Sequence, residues 1–164
     1  MTRRLGPVET GYHQDLRCME GTRKGLLKEI TDWVASTSGQ GDILHNNTCW
    51  IYSLPGIGKT SLAHSICTSL HDHRQLAGVF FCRRDDLNLC EPRNVLPTLI
   101  HQLSIIFPPF RKIVADSLRK DPHVTPGSMK HTHFVDFFCK LPRLSEKPLV
   151  FVIDALDECG GAQS

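Results

Sequence analysis

Residues 53–61, SLPGIGKTS, restrict what this chain can fold into more than any other segment. Gly56 and Gly58 allow a tight turn in which successive backbone N–H groups face one point. The apolar run 48–54 precedes the turn and is typical of a buried strand, and a segment with helical spacing of apolar residues follows it. A strand, a glycine turn and a helix in this order predict a phosphate-binding loop of the Walker A kind.

Each residue type in this loop has a distinct role. Lys59 supplies a mobile positive charge for the β- and γ-phosphates, and the Thr60 hydroxyl is a hard oxygen ligand that suits Mg²⁺. Ser53 departs from the Walker A pattern, which has glycine there, but this position lies farthest from the phosphates. The alternative is a glycine turn that binds nothing. The residues that we expect to bind nucleotide are Pro55, Gly56, Ile57, Gly58, Lys59, Thr60 and Ser61.

A second apolar run, residues 149–155 (LVFVIDA), places Asp154 at the carboxyl end of a strand. Because ligands bind at that edge of parallel α/β sheets, we expect Asp154 to hold Mg²⁺ through water, opposite Thr60. Asp157 and Glu158 follow within one turn, and either is a candidate catalytic residue that orients a water on the γ-phosphate; Glu158 is slightly preferred. The alternative is a helix N-terminus decorated with acidic residues.

The rest of the chain alternates apolar strands with helices. Strands are predicted at 48–54, 76–84 and 149–155, and helices at 25–34, directly after the phosphate loop, and at 94–107, 110–120 and 128–141. Pro108 and Pro109 are expected to separate two of these helices. The predicted fold class is therefore α/β, a three-layer P-loop architecture with a three-stranded parallel sheet covered on both faces.

Residues 1–17 lack periodicity and are predicted to be a disordered leader, which leaves 18–164 as the domain. The net charge is +2 and the basic residues are dispersed, so neither nucleic acid nor a membrane surface is an expected partner. The run 149–153 is far too short to span a bilayer. Seven cysteines without a C-x-x-C pair indicate a reducing compartment, so a cytoplasmic location is expected.

The segments WIYSLPGIGKTSLAHSIC and LVFVIDALDEC together resemble the NACHT nucleotide-binding domain of the STAND class of NTPases. More narrowly, the chain is similar to the form found in fungal NOD-like receptors, also called the nephrocystin-3-like N-terminal domain. Ala155 before the acidic pair matches the NACHT variant of the Walker B motif, and residues 18–23, CMEGTR, resemble the segment before the first helix. FFCRRDD and EPRNVLPTLIHQL fit the family too, and the resemblance covers 18–160.

This resemblance implies the ATP/ADP-binding module of a signal-transducing switch, a fragment of a multidomain receptor that is held off by ADP and turned on by exchange for ATP. Nucleotide and Mg²⁺ are the implied ligands, and homotypic or heterotypic association with other NACHT proteins is left open. The resemblance also implies that residues 21–23 lie near adenine. The alternative is a helix N-cap at Thr22 with Arg23 on the surface.

In that family a strand that follows Walker B lies between the P-loop strand and the Walker B strand. The sequence ends at Ser164, so the expectation is a partial NACHT domain in which these two strands close up directly or the sheet is marginally stable. Efficient hydrolysis is then doubtful, and whether the chain is an enzyme stays open. The alternative function is an inert or regulatory fragment that pairs with a full-length relative through its open sheet edge.

Overall fold

The structure is a computed structural model that describes residues 5–36, 48–121, 123, 135, 137 and 147–160. Two strands and four α-helices make up the regular structure of these residues. The strands are β1, Leu76–Phe81, and β2, Val150–Asp154; the helices are α1, Lys24–Ser36, α2, Lys59–Asp72, α3, Val95–Ile106, and α4, Pro108–Lys120. Single 3-10 turns occur at Gln14–Leu16, Pro92–Asn94 and Leu156–Glu158.

Strands β1 and β2 pair in parallel, with Phe81 opposite Asp154. The prediction of a parallel sheet is confirmed, and two of its three strands lie within a few residues of their predicted bounds. Over the described parts of the chain the sheet has these two strands only. Because parallel strands end at the same edge, the pairing sets Asp154 beside the end of β1, where the Cys82 N–H donates to the Asp154 carbonyl at 3.0 Å.

Helices cover both faces of the sheet, as the α/β prediction requires. Side chains alternate along a strand, so Val79 and Phe81 pack toward α2 while Phe80 packs toward α3. On the first face, buried residues of α1 and α2 meet β2; they are Ile30, Val34, Leu62, Ile66 and Leu70, with Val150 and Val152 packed on them. On the second face, α3 and α4 contribute Ile100, Leu103, Phe110, Val114 and Leu118.

The helical predictions agree with the structure where it can be compared. Pro108 and Pro109 occupy the first turn of α4, and Phe107 before them is extended, which ends α3. The helix predicted at 128–141 lies outside the described residues, apart from the single positions 135 and 137. Of the helices that are described, none has both the length and the apolar character needed to cross a membrane.

The prediction of a buried strand at residues 48–54 is wrong. This segment has no regular secondary structure and every residue in it is exposed, with Trp50 at 70%, Tyr52 at 83% and Leu54 at 76%. A strand forms only where a neighbour supplies partners for its backbone N–H and C=O groups. No described strand pairs with 48–54, so its apolar side chains alone do not make it part of the sheet.

Side chains occupy the edge of β1 that faces away from β2. The Gln102 amide of α3 accepts a hydrogen bond from the Val79 N–H at 2.7 Å and donates one to the Val79 carbonyl at 3.1 Å. The Thr10 hydroxyl accepts from the Phe81 N–H at 3.2 Å. A side-chain amide has one acceptor and one donor group, so Gln102 pairs with β1 as a neighbouring strand would.

The sequence predicts a disordered leader, and the structure instead packs residues 5–17 against the helices. Leu5 is fully buried in the cluster formed by α3 and α4. The Val8 N–H donates to the Thr98 hydroxyl, and the His13 N–H donates to Nδ1 of His64, both at 3.0 Å. These contacts link the segment to both helical layers.

His64 is buried within α2 at 3% exposure, and its ring stacks on Phe81 with 4.4 Å between centroids. Burial, and then the nearby His13, lower the pKa of His64 below 6.5, while Asp154 opposes the shift. The neutral ring is also the form whose Nδ1 accepts the His13 N–H. Protonation would therefore remove an acceptor that ties the N-terminal segment to α2.

Replacing Gln102 with methionine, which keeps the length of the side chain, should lower the free energy of unfolding by about 2 kcal/mol. The cause is two backbone groups of Val79 left without partners at the edge of β1. Urea denaturation measures this change. Gln14→Met, at an exposed position, is the matched control and should stay within about 0.5 kcal/mol of the native chain. Equal stabilities for the two variants would contradict the role given to Gln102.

Stability should fall as the pH drops below 6.5. The pKa of His64 is lower in the folded chain than in the unfolded chain, so the unfolded state binds more protons at acidic pH. The contribution of His64 is complete above pH 6.5 and is lost as the pH falls toward its folded pKa. Thermal melts on both sides of pH 6.5 measure the effect.

His64→Gln should reduce this dependence without removing it, because burial also lowers the pKa of His101. Ser69→Ala, on the same helix and without a titrating side chain, serves as the control and should leave the dependence unchanged. A pH profile that is the same for both variants would be inconsistent with a neutral, buried His64.

Candidate phosphate-binding site

Helix α2 begins at Lys59, directly after the glycine turn. Gly56 has φ +78° and Gly58 has φ +80°. These left-handed conformations are unfavourable for residues that carry a side chain, and glycine adopts them readily. The Leu62 N–H donates to the Gly58 carbonyl, which is the first hydrogen bond of the helix. The N–H groups before it have no acceptor within the helix and carry the positive end of its dipole. The turn and helix of the predicted loop are present, although the strand before them is absent.

The Lys59 ammonium lies over the loop. Its Nζ donates to the carbonyls of Ser53, at 3.1 Å, and Leu54, at 3.2 Å. These bonds hold the exposed segment 48–54 close to the start of α2. A phosphate group at the loop would compete with both carbonyls for this charge, because an anionic oxygen is a stronger acceptor than a neutral one.

Arg23 contacts the same turn from the start of α1. Its Nη1 donates to the Gly58 carbonyl at 2.7 Å, and a Cβ added to Gly58 would come within 3.2 Å of Arg23 Nη2. Arg23 itself has φ +56°, an uncommon value for a residue with a side chain. The Thr22 hydroxyl donates to the Met19 carbonyl, and Arg23 is half-buried, so the alternative with a surface arginine does not describe this structure.

A cleft of about 480 Å³ opens beside Lys59, between α1 and residues 48–54. Its walls are largely apolar and include Leu26, Trp33, Trp50 and Tyr52. The charged side chains that line it are Arg23 and Lys59, beside the glycine turn, and Glu29 of α1. This volume lies within the range of about 300–1,000 Å³ that small-molecule sites occupy. An apolar cleft next to a cationic turn suits a ligand with a flat apolar part and an anionic part.

Asp154 lies half-buried at the end of β2, close to α2. Burial, followed by the charge of Asp154, raises the pKa of the Cys67 thiol to about 12, and the same charge acts on His64. His64 is one turn beyond Thr60 on one side of α2, since residues four apart are neighbours on a helix. Asp154 therefore lies near the side of α2 that carries His64 and Cys67.

The two candidate catalytic acids lie in the 3-10 turn Leu156–Glu158, which the chain enters through Ala155 at φ +52°. The Arg84 N–H donates to Glu158 Oε2 at 3.0 Å, so this carboxylate ties the turn to the loop after β1. Asp157 is exposed, and no hydrogen bond or ion pair of its side chain occurs with the part of the chain that is described. The slight preference for Glu158 as the water-orienting acid has no support from these contacts.

A resident metal centre built from protein ligands alone is not seen among the described residues, which contain no group of three or more His, Cys, Asp or Glu side chains placed to hold an ion. Mg²⁺ usually takes one or two protein oxygens and completes its shell with water and phosphate. The Thr60 hydroxyl and the Asp154 carboxylate are oxygen donors of that kind. This donor set fits Mg²⁺ bound together with a nucleotide.

The sequence did not predict the contact between two cysteines near the site. Sγ of Cys82, after β1, and Sγ of Cys159, after the acidic turn, are 2.7 Å apart. Burial, then the hydrogen bond with Cys159, raises the pKa of the Cys82 thiol to about 12. The two cysteines are 77 positions apart, so no local spacing could have revealed them. The contact of Arg23 with Gly58, over 35 positions, was missed for the same reason.

A protein-family model matches most of the chain. The family model described as Nephrocystin 3, N-terminal, matches residues 21–164, which include every predicted site residue. Neither a curated protein nor a solved structure matches the chain. The match agrees with the nephrocystin-3-like part of the resemblance found in the sequence.

Arg23→Ala should loosen the glycine turn at Gly56 and Gly58. Loss of one hydrogen bond from a charged donor, worth about 1.5–3 kcal/mol, should speed amide hydrogen exchange by about tenfold or more at Leu62, whose N–H donates to the same Gly58 carbonyl. Arg83→Ala, which removes an exposed pair with Asp85, is the control and should leave exchange at Leu62 unchanged. Unaltered exchange in Arg23→Ala would mean that Arg23 does not hold the turn.

Proposed function

The chain belongs to the nephrocystin-3 N-terminal family, and we propose that it is the ATP- and ADP-binding module of a signal-transducing NTPase switch. The observation that carries this proposal is the junction at Lys59, where two left-handed glycines lead directly into α2 while Asp154 faces that helix. A glycine turn, a free helix N-terminus and a nearby acid are the parts that a Mg²⁺–nucleotide site requires. They support a P-loop domain of the NACHT kind.

The loop residues divide the work of binding. Backbone N–H groups over 56–61 surround the phosphates, and Lys59 turns its ammonium from the carbonyls of Ser53 and Leu54 to a phosphate oxygen. Thr60 and Asp154 are the residues that would hold Mg²⁺, which when bound neutralises phosphate charge. The apolar cleft beside Lys59 accepts the base.

Release of Lys59 from two carbonyls would couple nucleotide binding to a change in the protein conformation. The Ser53 and Leu54 carbonyls belong to the exposed segment 48–54, so nucleotide binding would free this segment from the start of α2. Asp157 and Glu158 are the candidates for orienting a water on the γ-phosphate, and Asp157 has the less engaged carboxylate. A switch of this kind depends on exchange of ADP for ATP, and fast turnover is not required for it.

The proposed cellular location and partners rest on the amino-acid composition rather than on the fold. Seven cysteines without a C-x-x-C pair favour the reducing cytoplasm, and the dispersed charge favours neither nucleic acid nor membrane as a partner. Association with other NACHT proteins, of the same or another kind, accords with a switch that acts within a receptor. We include it in the proposal on the resemblance alone.

A second candidate is an inert or regulatory fragment that pairs with a relative through its sheet edge. The observation in its favour is the exposure of Trp50, Tyr52 and Leu54 in a segment with strand-like composition. Burial of such side chains against a partner strand would be favourable. In that case the chain would bind a relative strongly and nucleotide weakly or not at all.

Isothermal calorimetry with Mg²⁺–ADP and Mg²⁺–ATP tests the nucleotide proposal. Lys59→Ala should weaken binding by about 10- to 100-fold, since a hydrogen bond from a charged group to phosphate contributes about 1.5–3 kcal/mol. Lys112→Ala, at an exposed position of α4, is the matched control and should bind as the native chain does. Thr60→Ala should lose most of the dependence of affinity on Mg²⁺.

Equal affinities of the native chain and Lys59→Ala for both nucleotides would rule out the phosphate loop as the binding site. No heat of binding from a chain that melts cooperatively would instead favour the fragment that pairs with a relative.

A further inference from the structure

Two thiols meet at the carboxyl edge of the sheet, beside the acidic turn. Cys82 directly follows β1 and is 3% exposed; Cys159 follows the turn Leu156–Glu158 and is half-buried. We propose that these two residues are an oxidation site, where a disulfide bond joins the end of β1 to the acidic turn. The pair lies beside the candidate acids Asp154 and Glu158, and the proposal does not require a bound nucleotide.

The sulfur positions favour a direct bond. The two Sγ atoms are 2.7 Å apart, whereas a disulfide needs about 2.03–2.05 Å, so closure requires a movement of about 0.7 Å. A change of this size lies within what two side chains can make by small rotations. Cys159 Sγ also lies 3.5 Å from the Leu89 carbonyl, a contact weak enough to be given up.

Backbone contacts on each side keep the thiols together. The Cys82 N–H donates to the Asp154 carbonyl, and the Arg84 N–H donates to the Glu158 carboxylate, each at 3.0 Å. The Gly160 N–H donates to the Cys90 carbonyl at 2.8 Å. Three bonds around the pair therefore fix both chain segments before any covalent bond forms, which raises the effective concentration of one thiol at the other.

The oxidant class is a low-molecular-weight disulfide. The thiolate of the more accessible Cys159 attacks one of its sulfurs, which forms a mixed disulfide and releases one small thiol. Cys82 then gives up its proton, attacks the Cys159 sulfur and expels the second small thiol, which takes up a proton. Two protein thiols are oxidised to one disulfide, and one small disulfide is reduced to two thiols.

Cys90 is the competing partner for Cys159. The Cys90 carbonyl accepts a hydrogen bond from the N–H of Gly160, the residue that follows Cys159. The Sγ of Cys90 lies 3.6 Å from the Leu87 carbonyl, and no contact between Cys90 and a second sulfur occurs among the described residues. The geometry therefore favours Cys82 over Cys90. A simple thiol–thiol packing contact that never oxidises is the other alternative.

The experiment treats the full chain with oxidised glutathione, blocks remaining thiols by alkylation and identifies cross-linked peptides by mass spectrometry. The expected product is a peptide pair joined through Cys82 and Cys159, lost on treatment with dithiothreitol. Exposed Cys49 should carry a glutathione adduct instead, which shows that the oxidant was active. The cross-linked chain should melt about 5–10 °C higher than the reduced chain.

Cys90→Ser should still form the cross-link, and Cys159→Ser should form none. A glutathione adduct on Cys159 with alkylated Cys82 in the native chain, or a link from Cys159 to Cys90, would overturn the proposal. Peptide mapping of the native chain alone shows which cysteines are joined, so the test does not depend on whether the variants fold. The result is also independent of whether Lys59 binds nucleotide.

Discussion

The parallel pairing of β1 with β2 is the interaction on which the rest of the structure depends. It aligns Phe81 with Asp154, so that the ends of two strands far apart in sequence share one edge. A parallel pair needs a long crossover, and here α3 and α4 lie within it and cover one face. The opposite face is left for α1 and α2, and α2 brings the glycine turn to the edge where Asp154 lies.

The glycine turn before α2 has no strand before it. Gln102 and Thr10 occupy the outer edge of β1, and in the described sheet no strand pairs with residues 48–54. The turn is held instead by Arg23 on the Gly58 carbonyl and by Lys59 on the Ser53 and Leu54 carbonyls. Two cationic side chains thus do part of what a strand would do, and Lys59 is also the group that a phosphate would attract.

The local sequence pattern was sufficient to predict the helices and the glycine turn, which form largely through interactions between residues close in sequence. The apolar spacing predicted α1 to α4 where they are described, and the glycines at 56 and 58 predicted a turn that only left-handed conformations can make. Residues 48–54 are a segment whose structure the local pattern does not determine. Their composition is that of a strand, but strand formation depends on a partner, and no local signal reports whether the partner is present.

Contacts between distant residues were also out of reach. Arg23 and Gly58 are 35 positions apart, and Cys82 and Cys159 are 77 apart, so both pairs appear only once the sheet and helices bring them together. The role of Gln102 likewise depends on contact with Val79, 23 positions earlier in the sequence.

A crystal structure of the chain with Mg²⁺ and ADP tests the central claim most directly. We expect the β-phosphate over the N–H groups at the start of α2, with Lys59 Nζ moved from the Ser53 and Leu54 carbonyls to a phosphate oxygen. We also expect the metal between Thr60 and Asp154. A nucleotide bound away from the glycine turn, or at the turn with Lys59 still on both carbonyls, would contradict this claim.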